Sequence, residues 1–232
     1  VYVTPQGRTR FDKVHELDAE SRHLVLLCEN EEGYRNLSYL VSMGWTEGFY
    51  IKPRIDLELL RQYSGGLIAL SACLAGEIPR RLRNGEYENA KAYALELSHI
   101  FGPDRFYLEL QDHGIRDQAI VNQGILRIHR ETGLPMVCTN DAHYLRKEDA
   151  EAHDVLLCIQ TGKTIDDENR MRYEPRNFYL RSEEEMAALF AGYEGALENT
   201  SKIADMCNLD FSFGKYHLPE FRLPEGYDSF SY

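Results

Sequence analysis

Short apolar runs that alternate with segments of helical period constrain this chain more than any other feature of its sequence. Residues 1–3, 23–28, 66–70, 106–110 and 135–139 are apolar stretches of strand length. Between them Tyr34, Leu37 and Val41, then Tyr93, Leu97 and Ile100, then Val121, Ile125 and Ile128 recur at spacings of three and four, the period of one helix face. Strands separated by helices predict parallel pairing through crossovers. The chain therefore reads as α/β to about residue 145.

Beyond that point strands become scarce. Ala152, Val155, Leu156 and Ile159 form an apolar stripe, Ser182-Glu183-Glu184-Glu185 reads as a capping box opening another helix, and a further helix is expected over 195–207. The tail from Phe213 carries Gly214, Pro219, Pro224 and Gly226 and reads as an extended linker. Three segments are thus expected: an α/β part over 1–145, helices over 146–212 and a linker over 213–232.

Charge narrows the function classes. With 26 Lys and Arg against 38 Asp and Glu the formal net charge is −12, whereas tight binding of a nucleic-acid backbone needs clustered positive charge. The longest apolar runs, such as 24–27, fall far short of the roughly 18 residues that span a bilayer. No charged-then-apolar leader precedes Thr4-Pro5-Gln6-Gly7, and the five cysteines form no Cys-x-x-Cys pair. A reducing cytoplasm fits these features best.

The strongest local candidate for chemistry is Thr139-Asn140-Asp141-Ala142-His143, directly after an expected strand. In an extended backbone, alternation places Asp141 and His143 on one side, at the carboxyl end where α/β folds put their sites. One oxygen and one imidazole nitrogen on one face make half of a Zn, Mn or Fe site. The same residues also suit a turn cap and a loop histidine. Cys73, in Ser71-Ala72-Cys73-Leu74-Ala75-Gly76-Glu77, follows another strand and offers a thiolate, though alone it reads more readily as a small buried hydrophobe. His23 and His113 flank strands and read on their own as a strand-end polar residue and a turn residue. Gly162-Lys163-Thr164 lacks the earlier glycine of a phosphate-binding loop, because Leu157 stands there. The arginines at 80, 81 and 83, and at 170, 172 and 176, sit beside glutamates and read as solvated, salt-bridged faces.

Several long blocks in order carry a family resemblance. Ser21-Arg22-His23-Leu24-Val25-Leu26-Leu27 with Gly33-Tyr34-Arg35-Asn36-Leu37, Leu70-Ser71-Ala72-Cys73-Leu74-Ala75-Gly76-Glu77 and the run 106–114 are similar to the alpha subunit of bacterial DNA polymerase III. The similarity continues through Thr139-Asn140-Asp141-Ala142-His143-Tyr144, the run 149–163 and Tyr216-His217-Leu218-Pro219. The resembling region is that family's polymerase-and-histidinol-phosphatase (PHP) domain.

The resemblance implies a distorted seven-stranded, TIM-like α/β barrel, here lacking its first strands and followed by helices. It also implies a site of His, Asp, Glu and Cys side chains around divalent metal, zinc or manganese. By position His23, Cys73, Asp141 and His143 match four ligands of that site. The resemblance also implies that the His-x-His strand and the Asp-His-Gly turn with which full-length members begin, and a glutamate just before a segment like Val1-Tyr2-Val3, are missing from this chain, the later Asp112-His113-Gly114 belonging to a different block. The expectation is therefore a piece of a replicative DNA-directed DNA polymerase with part of a metal site and no nucleotidyltransferase site. Its implied partners are the rest of the alpha chain and, through it, the clamp, the proofreading exonuclease and DNA, without a membrane. A free-standing metal-dependent phosphoesterase and a scaffold docking palm and exonuclease are the alternatives.

Overall fold

The computed structural model describes residues 1–4, 21–216, 218 and 222–226. Pro5, Gln6 and Gly7 of the segment read for a leader, and His217 and Pro219 of the tail, lie outside the described residues.

Eight strands among the described residues form two four-stranded sheets. The first sheet has the order β2 (Arg22–His23), β1 (Tyr2–Val3), β5 (Lys52–Ile55), β4 (Phe49–Tyr50); the second has the order β3 (Val25–Cys28), β6 (Leu67–Leu70), β7 (Phe106–Leu110), β8 (Met136–Cys138). The expected strand over 23–28 is thus divided at Leu24 and passes from one sheet to the other. Leu24 N–H donates to Val1 O at 3.1 Å as it crosses. The architecture is mixed α/β; among the described residues the two sheets are not closed into the expected seven-stranded, TIM-like barrel.

Parallel pairing holds for β6 with β7, β7 with β8 and β1 with β5. The parallel pairing expected across the helix between 23–28 and 66–70 is corrected, since β3 runs antiparallel to β6; β2 and β4 are antiparallel to β1 and β5 as well. The sequence signal for β4 and β5 was poor because Lys52-Pro53-Arg54 puts charge and a proline where apolar alternation is sought. Pro53 is tolerated in β5 opposite Phe49 of β4, the edge strand of the sheet.

Alternation in the second sheet separates two layers of core. Leu67, Ala69, Phe106, Leu108, Leu110, Met136 and Cys138 face one way. They meet α4 (Tyr87–Phe101) through Ala90, Tyr93, Ala94, Leu97 and Phe101, and α5 (Arg116–Thr132) through Val121, Ile125 and Ile128. Ile68, Leu70, Tyr107 and Val137 face the other way and are covered by Ile203 of α8 (Glu198–Met206). The large aliphatic and phenylalanine side chains among these each contribute about 1.5–3 kcal/mol on burial, and β7 between the two layers is buried along its whole length.

The remaining helices are α1 (Glu31–Thr46), α2 (Leu57–Gln62), α3 (Glu77–Arg83), α6 (Ala150–Thr161) and α7 (Glu183–Leu189). Asn30 caps α1, its side chain accepting from Gly33 N–H at 3.0 Å. The buried face of α1 runs through Gly33, Leu40 and Gly44, one position off the expected Tyr34 and Val41 phase. Gly33 is required there, since a Cβ would sit 1.8 Å from Gly66 O. In α6 the expected stripe of Ala152, Val155, Leu156 and Ile159 faces outward, while Leu157 and Cys158 are buried. Of the arginines of α3, Arg80 and Arg83 are ion-paired toward the surface as expected, whereas Arg81 is buried with Glu77, its Nε donating to Oε1 at 2.6 Å, and Arg22 and Arg80 reach the same carboxylate.

Candidate metal-binding cleft

The face of the second sheet that α8 covers at one end opens at the other into a cavity of about 640 Å³. Strand alternation explains its lining. Continuing from Tyr107 by steps of two gives Glu109 and Gln111, from Val137 it gives Thr139 and Asp141, and from Leu70 it gives Ala72. His23 and Val25 arrive at the same end because β3 runs antiparallel to its neighbour.

Cys73 reaches the cavity through a turn. Ala72 has φ +65°, the left-handed region, and Gly76 N–H closes the turn onto Cys73 O at 2.8 Å. His23 N–H donates to Ala75 O at 3.1 Å, which ties β2 to this loop. As a result Cys73 Sγ lies 3.6 Å from His23 Nδ1. Burial is the largest cause raising the Cys73 thiol above its usual value, helped by the charge of Asp141. Removal from water likewise lowers His23, with Asp141 acting in the opposite sense.

Asp141 lines the cavity opposite this pair, but the chain does not continue extended beyond it. Ala142 N–H donates to Asn140 O at 2.6 Å, bending the backbone at Asp141. His143 then folds back, its Nε2 lying 3.3 Å from Asp141 Oδ1. The segment 173–181 holds His143 from outside: its N–H donates to Phe178 O at 2.8 Å, and the Tyr173 ring packs 4.5 Å from the imidazole. Asn140 Nδ2 donates to Tyr179 O at 3.0 Å in the same clasp.

The four expected site residues therefore stand as two pairs, His23 with Cys73 and Asp141 with His143. Three of the four line one cavity, and the fourth contacts it through Asp141. Among the described residues no group of three or more His, Cys, Asp or Glu side chains is drawn together closely enough to hold an ion. The donor types nonetheless suit a divalent ion of intermediate softness: two imidazoles, a thiol and a carboxylate. Asn140 Oδ1, buried and without a hydrogen-bond partner among the described residues, adds an oxygen donor on the same wall.

One side chain, Glu109, has a place in the cleft that the sequence did not assign. Glu109 is buried in the cavity wall, and burial raises its carboxyl above the usual range against hydrogen bonds from Thr139, Ala72 and Gln111. The available signal was a lone acid inside Phe106-Tyr107-Leu108-Glu109-Leu110. His113 sits in the turn after β7, fully buried and stacked on Phe178 with centroids 4.3 Å apart, a structural residue as its position suggested.

Residues 1–113 match the family model of the PHP domain. The chain is 47% identical over 214 residues to the DNA polymerase III subunit alpha of Borreliella burgdorferi, covering 91% of this chain and 18% of the relative. It is 45% identical over 231 residues to the subunit from Thermus aquaticus (97% of this chain, 19% of the relative). With the subunit from Treponema pallidum it shares 41% over 230 residues (99% and 20%). The chain spans about a fifth of the length of these curated relatives.

Proposed function

Since the chain belongs to the family of bacterial DNA polymerase III alpha subunits and carries its PHP domain, we propose that it serves as the PHP portion of a replicative polymerase, holding part of a metal site and no site for nucleotide addition. The observation that carries this reading is the pairing of near-complete coverage of this chain with coverage of about a fifth of each relative. On this reading strands contributed by the rest of the parent close the two sheets into the barrel. Residues 1–145 form the barrel part, 146–212 its helical remainder and 213–232 the passage toward the polymerase palm. The parent acts in the cytoplasm, where its remaining domains supply DNA, clamp and exonuclease contacts.

The donor set supports His23, Cys73, Asp141 and His143 as ligands to zinc or manganese. A divalent ion bound there would supply Lewis-acid polarisation of a phosphate ester. The chain's own contribution is to present two pairs of donors across one cavity, with the Cys73 thiol kept protonated by burial until a cation favours the thiolate. Because four donors suffice for one tetrahedral ion, we expect at most one weakly held metal per chain. Elemental analysis after dialysis checks this, with Cys73→Ser and His143→Ala each lowering retention. Two or more tightly held ions, together with phosphate-ester turnover abolished by Asp141→Ala, would show a site complete without further residues. Primer extension by the purified chain above a no-enzyme control would overturn the assignment of synthesis to the rest of the parent.

A further inference from the structure

The loop that carries Cys73 and the segment that carries Asp141 are tied to the same side chain. Glu109 is only 5% exposed. Its Oε2 accepts from Ala72 N–H at 2.9 Å, while Oε1 accepts from Gln111 Nε2 at 3.1 Å and from the Thr139 hydroxyl. Its own N–H donates to Ser71 Oγ at 2.8 Å, closing a second link to the Cys73 loop.

Two physical points give this arrangement meaning. A non-glycine residue at φ +65° such as Ala72 is sterically strained and persists only where its surroundings hold it. The Glu109 carboxylate bonds the N–H of that residue, and the turn it holds is what brings Cys73 Sγ to His23. A carboxyl group buried in a sheet is also unfavourable compared with the leucines beside it, so its presence needs a compensating role. Both of its oxygens are engaged by protein donors, which makes it a brace rather than a free ligand.

We propose that Glu109 is the positioning residue of the cleft: it fixes the Ala72-Cys73 turn and the Thr139-to-Asp141 segment relative to each other, so that both donor pairs open on the same cavity. This rests on the metal-binding reading above. Groups that orient ligands without touching the ion typically contribute about 10–100-fold in affinity.

The test uses the 232-residue chain and two readouts. Cobalt(II) titration follows the thiolate-to-cobalt charge-transfer band, and iodoacetamide labelling of the metal-free chain, read by peptide mass spectrometry, follows Cys73 against buried Cys158. Glu109→Ala is expected to weaken cobalt binding by about 10–100-fold and to speed Cys73 labelling several-fold. Glu109→Gln keeps an oxygen for Ala72 N–H and an amide N–H from which the rotated Thr139 hydroxyl can accept, so it preserves both ties and is expected to stay within a few-fold of the parent in both. Thr139→Val, a milder change, should weaken cobalt binding while leaving Cys73 labelling slow, because it releases only the Asp141 side. Leu108→Ala, on the opposite face of β7, should lower stability without moving either readout. Unchanged cobalt affinity in Glu109→Ala, or in Thr139→Val should Glu109→Ala not fold, overturns the proposal alone, provided Cys73→Ser removes the band. Absence of the band from the unsubstituted chain overturns the metal-binding reading and the proposal with it.

Discussion

His113 shows how a residue's surroundings become a pH dependence. Gln118 Oε1 accepts from His113 N–H at 2.8 Å, which orients the amide so that Gln118 Nε2 donates to Nδ1 at 2.9 Å. Burial, then the charge of Arg181, lowers its pKa, against the opposing effects of Asp141, Gln118 and Asp112. The native state therefore keeps the ring neutral at a pH where the unfolded chain, with an ordinary value near 6.5, binds a proton. The unfolded state then holds more protons, so stability rises with pH across that window. Its contribution is complete above about pH 6.5 and is lost as pH falls toward the depressed native value. His23 and His153 are lowered too and act in the same sense, so the comparison must isolate His113. Urea unfolding between about pH 5.5 and 7.5 should show a shallower pH slope for His113→Asn than for the parent. Equal slopes would show that the buried ring does not contribute.

Element by element, legibility followed the strength of local signals. The capping box at Ser182 is a local pattern and is present as read: Ser182 N–H donates to Glu185 Oε2 at 2.9 Å, and Glu185 N–H donates to Ser182 Oγ at 3.3 Å. Ser182→Ala should therefore cost about 1 kcal/mol, read as a lower denaturation midpoint, whereas Glu183→Gln, outside the box, should change little. Strands β6, β7 and β8 were legible because both faces are buried and the runs are continuously apolar. What failed was information that resides in tertiary contact. The stripe of α6 has the right period, yet Leu156 is 60% exposed and Ile159 72%, since periodicity says which residues share a face and not whether that face is covered. The bend at Asp141 was equally invisible. It depends on the segment 173–181, more than thirty residues away, which accepts from Asn140 and His143. That His23, Cys73 and Asp141 come to one cavity follows from strand ends and alternation, whereas the division of the four residues into two pairs had no local signal.

For the molecule as a whole, the charge balance acquires detail once the partners of its cations are known. The net charge of −12 already opposes a polyanion, but a local basic patch could override it. The described ion pairs work against such a patch. Glu77 accepts from Arg22, Arg80 and Arg81; Glu131 takes both Lys91 and Arg127; Asp154 holds Arg170; and Glu29 holds Arg105. A cation already neutralised by a carboxylate releases few counterions on meeting phosphate, and counterion release drives non-specific binding. Among the described residues no helix is long and apolar enough to cross a membrane. Fluorescence anisotropy with a labelled primer–template duplex at about 0.15 M salt should accordingly show no saturable binding below roughly 10⁻⁴ M, the weak end of non-specific affinities. Lowering the salt should strengthen binding only slightly, because few phosphate contacts form. A sub-micromolar dissociation constant with a steep salt slope would mean that the paired arginines exchange their carboxylates for phosphate, and that this chain grips DNA directly.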